Sequence, residues 1–394
     1  MNSLPNTINS RGHPTEFEQI ITEKSDNFVG REFVFTAIDE FIHRYRRGYF
    51  TVVGAPGSGK SAIFAKYATD HPDVVYYNVE VEGKNRAEEF LKVVCHQLVE
   101  WLQSCSTPPQ PSPQARRELD VQDFAALAGG VRGVGDNAGE GSWFLSVLLQ
   151  QISDELEPEQ KLILIIDGLD RIDSNSQSPG TNLFYLPRYL PDGVYFLLTR
   201  RPFLREKSGL LIETPSQSLD LGQYSEENWQ DIQRYIQQFT LRLRSGLTDE
   251  NIKSWLSDRQ INEEEFCTSL AAKAENNFMY VSRVLAAIAL GFDPQALNDN
   301  QVPPGLDAYY QQHWQKMMTA IPDEDFSQAV LKVLVQQQQP ISVEAIAQII
   351  DGDEFDVEEV LESWFEFLRQ EEMGGEKYYS FYYGNFRDWL AEKV

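Results

Sequence analysis

The residues Gly54–Ser61, GAPGSGKS, fit the spacing G-x-x-x-x-G-K-[ST], in which each fixed position has a task on a phosphate chain. Gly54, Gly57 and Gly59 let consecutive backbone N–H groups curl around an anion, while Pro56 and Ser58 complete the loop. Lys60 reaches the β- and γ-phosphates as a point charge, and Ser61 offers its hydroxyl to Mg²⁺. A helix starting here aims the positive end of its dipole at the same anion. The implied ligand is a nucleoside triphosphate with magnesium. A chance glycine turn is the competing explanation, and it is weakened by an apolar strand before the loop and a helix after it.

Two further segments end on suitable charges. LILIIDGLD, Leu162–Asp170, is an unbroken apolar run that delivers Asp167 to the end of a buried strand, where it can hold the metal through water. Asp170 then orients or deprotonates the attacking water, or is a loop carboxylate paired with Arg171. LLTRRP, Leu197–Pro202, ends a second apolar run on Arg200 and Arg201. One of these guanidinium groups should meet the γ-phosphate, and the other is left to solvent.

The elements that must position these residues are legible as alternating patterns. A helix is expected from Glu32 to about Arg46, a strand over Tyr49–Val53 and a helix over Ser61–Ala68. A strand over Val74–Val79 and a helix over Ala87–Leu102 follow. Thr107–Pro113 is proline-rich and Gly129–Gly141 holds six glycines, which reads as a surface excursion before a helix from Ser142 to Leu156. Strands over Lys161–Ile166, Val194–Thr199 and Leu210–Thr214 complete a mainly parallel five-stranded sheet of α/β class. Residues 1–26 form a polar lead-in without sustained period. After Gln223 the pattern turns helical, with starts at Ser225 and Thr248, and Gln301–Gly305 reads as a linker. Helices near Asp307–Ala320, Asp325–Val335, Ser342–Ile350 and Val357–Arg369 come next. A Gly374-Gly375 turn, a strand at Tyr378–Tyr382 and a helix from Asn385 close the chain, which is a winged-helix order. The expected division is 27–223, 224–300 and 301–394.

Composition narrows the function classes. With 34 basic and 60 acidic residues among 394, the net charge of -26 repels phosphate backbones and anionic lipid. Arg44, Arg46 and Arg47 form the best basic cluster and read as a solvated helix end. No apolar run approaches membrane-spanning length, no secretory leader is visible, and three cysteines without CxxC spacing suit a reducing compartment. A cytoplasmic location follows by elimination. His43, His71, His96 and His313 show no metal-ligand spacing.

The order FVGRE (Phe28–Glu32), GAPGSGKS, LILIIDGLD, LLTRRP, then helices and a winged helix, resembles the STAND class of signal-transduction ATPases, best known as NACHT and NB-ARC (AP-ATPase) modules. The resemblance runs from Asn27 to the C-terminus. It implies a P-loop NTPase domain followed by an all-α helical domain and a winged-helix domain, with ATP or ADP and Mg²⁺ held between them. It further implies that Gly30 and Arg31 lie near the base and phosphates, and that Arg201, next to Pro202, is the strand-end sensor ahead of Arg200. AENNFMYV, Ala274–Val281, is similar to the family element that closes over adenine, with Asn276 at its glycine and Phe278 at its proline position. Phe278 then stacks on the base, or is a core aromatic. FYYGNFRDWL, Phe381–Leu390, resembles the family's terminal motif, except that Tyr383 replaces the histidine that touches the ADP β-phosphate. Its hydroxyl can donate the same hydrogen bond, or the ADP lock is weak. Arg171 stands where many NACHT proteins carry a further acidic residue. The family's usual effector and sensor domains are not in this sequence, which implies a fragment or separate partners.

Three functions compete. The first is a nucleotide-controlled switch with slow hydrolysis that self-associates in the ATP state. The second is a nucleotide-binding scaffold without useful turnover, suggested by Arg171 and Tyr383. The third is an AAA+-like DNA-binding regulator reading through the winged helix, which the eighteen acidic and six basic residues of 301–394 argue against.

Overall fold

The computed structural model describes residues 13–105, 138–173, 176–178, 180–203, 208–244, 262–289, 304–319, 324–337 and 339–394. The first element is already a departure from expectation. Thr15–Ser25 is a helix, α1, whose Phe17 and Ile21 are buried. Phe17 meets Tyr76 and Tyr77 edge-on at 6.1 and 5.3 Å between ring centroids. Two apolar residues at i and i+4 are too short a stripe to stand out in sequence, yet their burial contributes about 3–6 kcal/mol.

The α/β region follows as α2 (Glu32–Arg44), β1 (Gly48–Val53), α3 (Lys60–Asp70), β2 (Val75–Asn78), α4 (Ala87–Cys105), α5 (Ala138–Glu155), β3 (Leu162–Asp167), β4 (Val194–Arg200) and β5 (Ser216–Asp220). These five strands form one parallel sheet in the order β2-β3-β4-β1-β5. Every residue of β1 and β4 is buried, so both sheet faces are covered and an alternating pattern is neither needed nor present. Parallel registry carries functional consequences. Val53 pairs with Arg200, and Asn78 with Asp167, so the carboxyl ends of β1, β2, β3 and β4 arrive at one edge.

The fifth strand is a correction. Leu210–Thr214 does not join the sheet; Ser216–Asp220 pairs with Tyr49–Val53 instead. Its first three residues are exposed, because an edge strand is held by backbone hydrogen bonds rather than by apolar side chains. Of the expected surface excursion, residues 106–137 lie outside the described residues, while α5 begins at Ala138, four residues before the expected start.

The second region comprises α6 (Ser225–Arg244), α7 (Glu263–Ala274), α8 (Phe278–Ala289), α9 (Pro304–Thr319), α10 (Glu324–Gln336), β6 (Ile341–Ser342), α11 (Val343–Ile350), α12 (Glu354–Ser363), β7 (Leu368–Met373), β8 (Glu376–Phe381) and α13 (Gly384–Ala391). The helix start expected at Thr248 and most of the 301–305 linker lie outside the described residues. The helix expected over Val357–Arg369 is divided. It stops at Ser363, turns at Trp364–Phe367, and Leu368 then pairs with Phe381 across an antiparallel hairpin. The hairpin turn uses Gly374 and Gly375 at φ +66° and +87°, backbone that glycine adopts without strain. This end of the chain combines the helices α10, α11 and α12 with a three-stranded sheet ordered β6-β8-β7.

Apolar packing forms two cores. One runs from Phe17 to Leu221 and the other from Ile232 to Leu390. The second core is continuous from α6 through α13, so the helical and terminal segments pack as one body.

Candidate functional site

β1 delivers Gly54 to the sheet edge, and the loop closes with Gly57 and Gly59 at φ +83° and +91° before α3 begins at Lys60. Lys60 Nζ donates to the carbonyls of Gly54 (2.6 Å) and Ala55 (3.1 Å), which folds the lysine over its own loop. Burial pushes its ammonium down to about 8, with Asp170 pulling the other way. A phosphate chain would supply the countercharge that the two carbonyls only approximate.

Ser61 Oγ donates to Asp167 Oδ1 at 3.1 Å, which brings together the two residues expected at the metal. Asp167 is 1% exposed and also accepts from Thr199 (2.6 Å), Tyr76 (3.2 Å) and Asn78 (3.0 Å). Burial raises its pKa, and the Thr199 and Ser61 hydrogen bonds oppose that shift. The donor set is all oxygen, as Mg²⁺ prefers, and no cluster of three or more metal-ligating side chains occurs among the described residues. One carboxylate and one hydroxyl suit a cation that keeps its waters and takes other ligands from phosphate.

The two arginines at the end of β4 part company. Arg201 faces the cavity at the loop, where its backbone N–H donates to Asp170 Oδ1 (2.9 Å) and its side-chain Nε lies 3.3 Å from Asp170 Oδ2. Its other end pairs with Glu366, which Lys316 Nζ reaches at 2.6 Å. Burial would lower the Arg201 pKa, but Glu366 and Asp170 outweigh it and raise it. For Asp170, burial pushes upward and is overcome by Arg201 and Lys60, so its carboxyl sits below the usual range. Arg200 turns away, donating to Ser208 O (3.0 Å) and lying 3.5 Å over the Phe203 ring. Adjacent residues of a strand point to opposite faces, so only one of the pair can enter the cavity. Arg171 pairs with Glu80 (3.3 Å) and Asp170 (3.8 Å).

On the opposite wall, Gly30 (φ +72°) and Arg31 (φ +69°) bring the Arg31 guanidinium inside at 2% exposure. It donates to Ser58 O (2.6 Å) and to Asn228, its backbone N–H donates to Asp231 (3.0 Å), and it lies 4.5 Å over the Phe278 ring. Burial lowers its pKa to about 10 despite Asp231. Arg31 thus ties the loop to α6 and α8. Phe278 lines the cavity, and the Met279 N–H donates to Gly57 O at 3.2 Å. A Cβ on Gly57 would collide with Asn277 Oδ1, which shows how closely the helical region approaches the loop tip. Asn276 donates to Ser225 O at 3.4 Å. Tyr383 caps α13 behind this wall, next to Tyr309 and Arg31, rather than on the cavity surface.

These walls enclose a cavity of about 450 Å³, bounded by the segment before α2 (Arg31 included, the expected Gly30 not), the loop, the β2 and β3 ends, α8 and α9. Thr199, Asn78, Glu366 and the α9 residues Tyr309 and His313 escaped sequence reasoning. Thr199 had a visible signal, since it directly precedes the arginine pair at a strand end; Glu366 had none.

A loop of this geometry at the end of an inner strand, β1 between β4 and β5, faced by a strand-end carboxylate, defines a P-loop NTPase fold. Comparison with known proteins agrees: residues 27–196 match the family model described as AAA ATPase domain. The match runs from just before α2 into β4. The search of curated proteins returned no match. Among solved structures, the chain is similar to a STAND protein with a tetratricopeptide repeat sensor from Pyrococcus horikoshii. Identity there is 18% and the TM-score 0.37, over 94% of this chain and 44% of that one. Drosophila ORC bound to DNA follows at 14% identity and TM-score 0.37, over 92% and 94% of the two chains. The Thermotoga maritima RuvB Holliday junction branch migration motor follows at 13% and 0.33, over 91% and 95%. The chain spans less than half the length of the STAND protein it matches. No described helix is long and apolar enough to cross a membrane.

Proposed function

We propose that this chain is a STAND-type switch that binds ATP or ADP with Mg²⁺, closes its C-terminal region over the phosphates, and hydrolyses ATP slowly. The observation that carries this reading is Arg201, which reaches Asp170 at the phosphate edge with one end and Glu366, beyond α12, with the other. A γ-phosphate placed over Lys60 and Ser61 competes with Glu366 for that guanidinium, so the triphosphate loosens the contact and the diphosphate leaves it intact. Opening then exposes surface for self-association. Lys60 and the loop N–H groups hold the phosphates, Ser61 and Asp167 hold the metal, which would neutralise phosphate charge, and Asp170 keeps Arg201 in place. Slow turnover is supported by the engagement of Asp170 with Arg201, which leaves it a poor base. The break between the two cores, between Leu221 and Ile232, supports a boundary near Gln223.

The reading is tested by comparing the solution size and shape of the protein with ADP and with a non-hydrolysable ATP analogue. A larger or assembled ATP-analogue form is expected. Identical scattering profiles in the two states would defeat it.

A further inference from the structure

Among the described residues, the carboxylates that line the cavity are Glu23, Asp26, Glu80, Asp167 and Asp170. Glu23 and Asp26 come from the end of α1 and the turn after it. Asp167 is fully engaged, with Ser61 and Thr199 donating to Oδ1 and Tyr76 and Asn78 to Oδ2. Asp170 is held by the backbone N–H and the Nε of Arg201. Glu80 is different. Its side chain is 50% exposed, which gives water access to it, and Arg171 Nε lies 3.3 Å from its Oε1 without making a hydrogen bond among the described residues. The sheet fixes its place. Asn78 pairs with Asp167, the Val79 N–H donates to Asp167 O (2.9 Å), and the Glu80 N–H donates to Asn78 Oδ1 (2.8 Å). The chain therefore leaves β2 directly beside Asp167. A Cβ on Gly168 would lie 3.3 Å from Glu80 Cγ, so the Glu80 stem crosses the turn that joins Asp167 to Asp170. Its charge is felt at both Lys60 and Asp167.

A carboxylate with open hydrogen-bonding capacity, water beside it and the phosphate-binding lysine within range of its charge is placed to act on a water molecule. We infer that Glu80, and not Asp170, orients the attacking water and takes its proton during ATP hydrolysis, and that Arg171 restrains it. This rests on the nucleotide reading above and adds to it the residue that performs the chemistry. In the step, the water oxygen forms a bond to the γ-phosphorus while one of its protons passes to a Glu80 carboxylate oxygen. The bond from the γ-phosphorus to the bridging oxygen breaks, and its electron pair stays on ADP. Glu80 then releases its proton to solvent, so ATP and water give ADP, phosphate and one proton. Arg171 is a positioning residue here: its guanidinium competes with water for Glu80 Oε1, and it lies 3.8 Å from Asp170 as well.

The test measures single-turnover ATP hydrolysis and ATP affinity over a range of Mg²⁺ concentrations for the wild type, Glu80→Gln, Arg171→Gln and the double variant. Glu80→Gln keeps the shape of the side chain and removes the proton acceptor. It should hydrolyse ATP about a hundredfold more slowly with ATP affinity unmoved, as loss of a general base requires. Arg171→Gln should hydrolyse about two- to fivefold faster, the worth of a part-exposed ion pair, and the double variant should lose that gain. Wild-type turnover in Glu80→Gln, or no gain in Arg171→Gln, would overturn the inference, and so would a gain that survives in the double variant. A loss of ATP affinity in Glu80→Gln that excess Mg²⁺ restores would assign the carboxylate to the metal and overturn it too. Bound ATP that neither the wild type nor Arg171→Gln turns over removes the inference and leaves nucleotide binding standing. Failure of the wild type to bind ATP at all is a different result, because it removes the nucleotide reading itself.

Discussion

Glu366→Gln removes the charge by which the C-terminal region grips the phosphate edge, while the shape of the side chain changes little. In the wild type the Arg201 and Glu366 side chains are 8% and 14% exposed, so their attraction is only weakly screened. Removing one partner of a buried pair costs about 3–5 kcal/mol. Two features reduce that figure here: Arg201 keeps Asp170, and Lys316, at 37% exposure, can regain water. A cost of about 2 kcal/mol remains, roughly a thirtyfold shift in the balance between docked and undocked arrangements. The assay is a double-mutant cycle in urea with Arg201→Gln, Glu366→Gln and the double variant, read at unchanged denaturant slope. The expected coupling is about 2 kcal/mol, and both single variants should lower the midpoint. A coupling below about 0.5 kcal/mol would show that the pair stores no energy between the two regions and would refute the proposed linkage.

Lys60 supplies a pH prediction. Its folded value of about 8 lies below the ordinary 10.5, so between these values the folded chain holds fewer protons than the unfolded one. This group therefore makes stability rise with pH across that window, and its cost is fully present below 8. Nucleotide phosphates reverse the shift, so ADP binding above pH 8 should take up a proton and weaken as pH rises; calorimetry at pH 8.5 in buffers of different ionisation enthalpy checks the uptake. Asp167→Asn should abolish the dependence of ATP affinity on Mg²⁺, seen by titrating with and without a chelator, and an undiminished Mg²⁺ effect would remove Asp167 from the metal site. Thr199→Val deprives the Gly168 N–H of its acceptor at 2.7 Å and Asp167 of its closest donor, so unfolding free energy should fall by about 1–3 kcal/mol. Gly57→Ala puts a methyl group into Asn277 at a positive φ, and it should weaken ADP binding at least about tenfold by lifting α8 off the loop, with the α/β region still folded by circular dichroism.

What the chain determined alone is the phosphate site, because its chemistry is written in consecutive residues. GAPGSGKS needs no distant partner to predict a cradle, and an apolar run ending on Asp167 must emerge at a sheet edge. Parallel strands were legible for the same reason, since β1, β3 and β4 are buried on both faces and read as unbroken apolar runs. Elements stabilised by something other than their own pattern were not. β5 owes its place to backbone pairing with β1, and α1 to two side chains that find a pocket beside β2. The choice between Arg200 and Arg201 is a matter of which strand face meets the cavity, a property of sheet registry. Glu366 and His313 are ordinary residues in sequence, separated by more than a hundred positions from the loop they face. Only packing of the second core against the first brings them there, since long-range electrostatic and hydrogen-bond partners are selected by three-dimensional proximity and not by spacing along the chain.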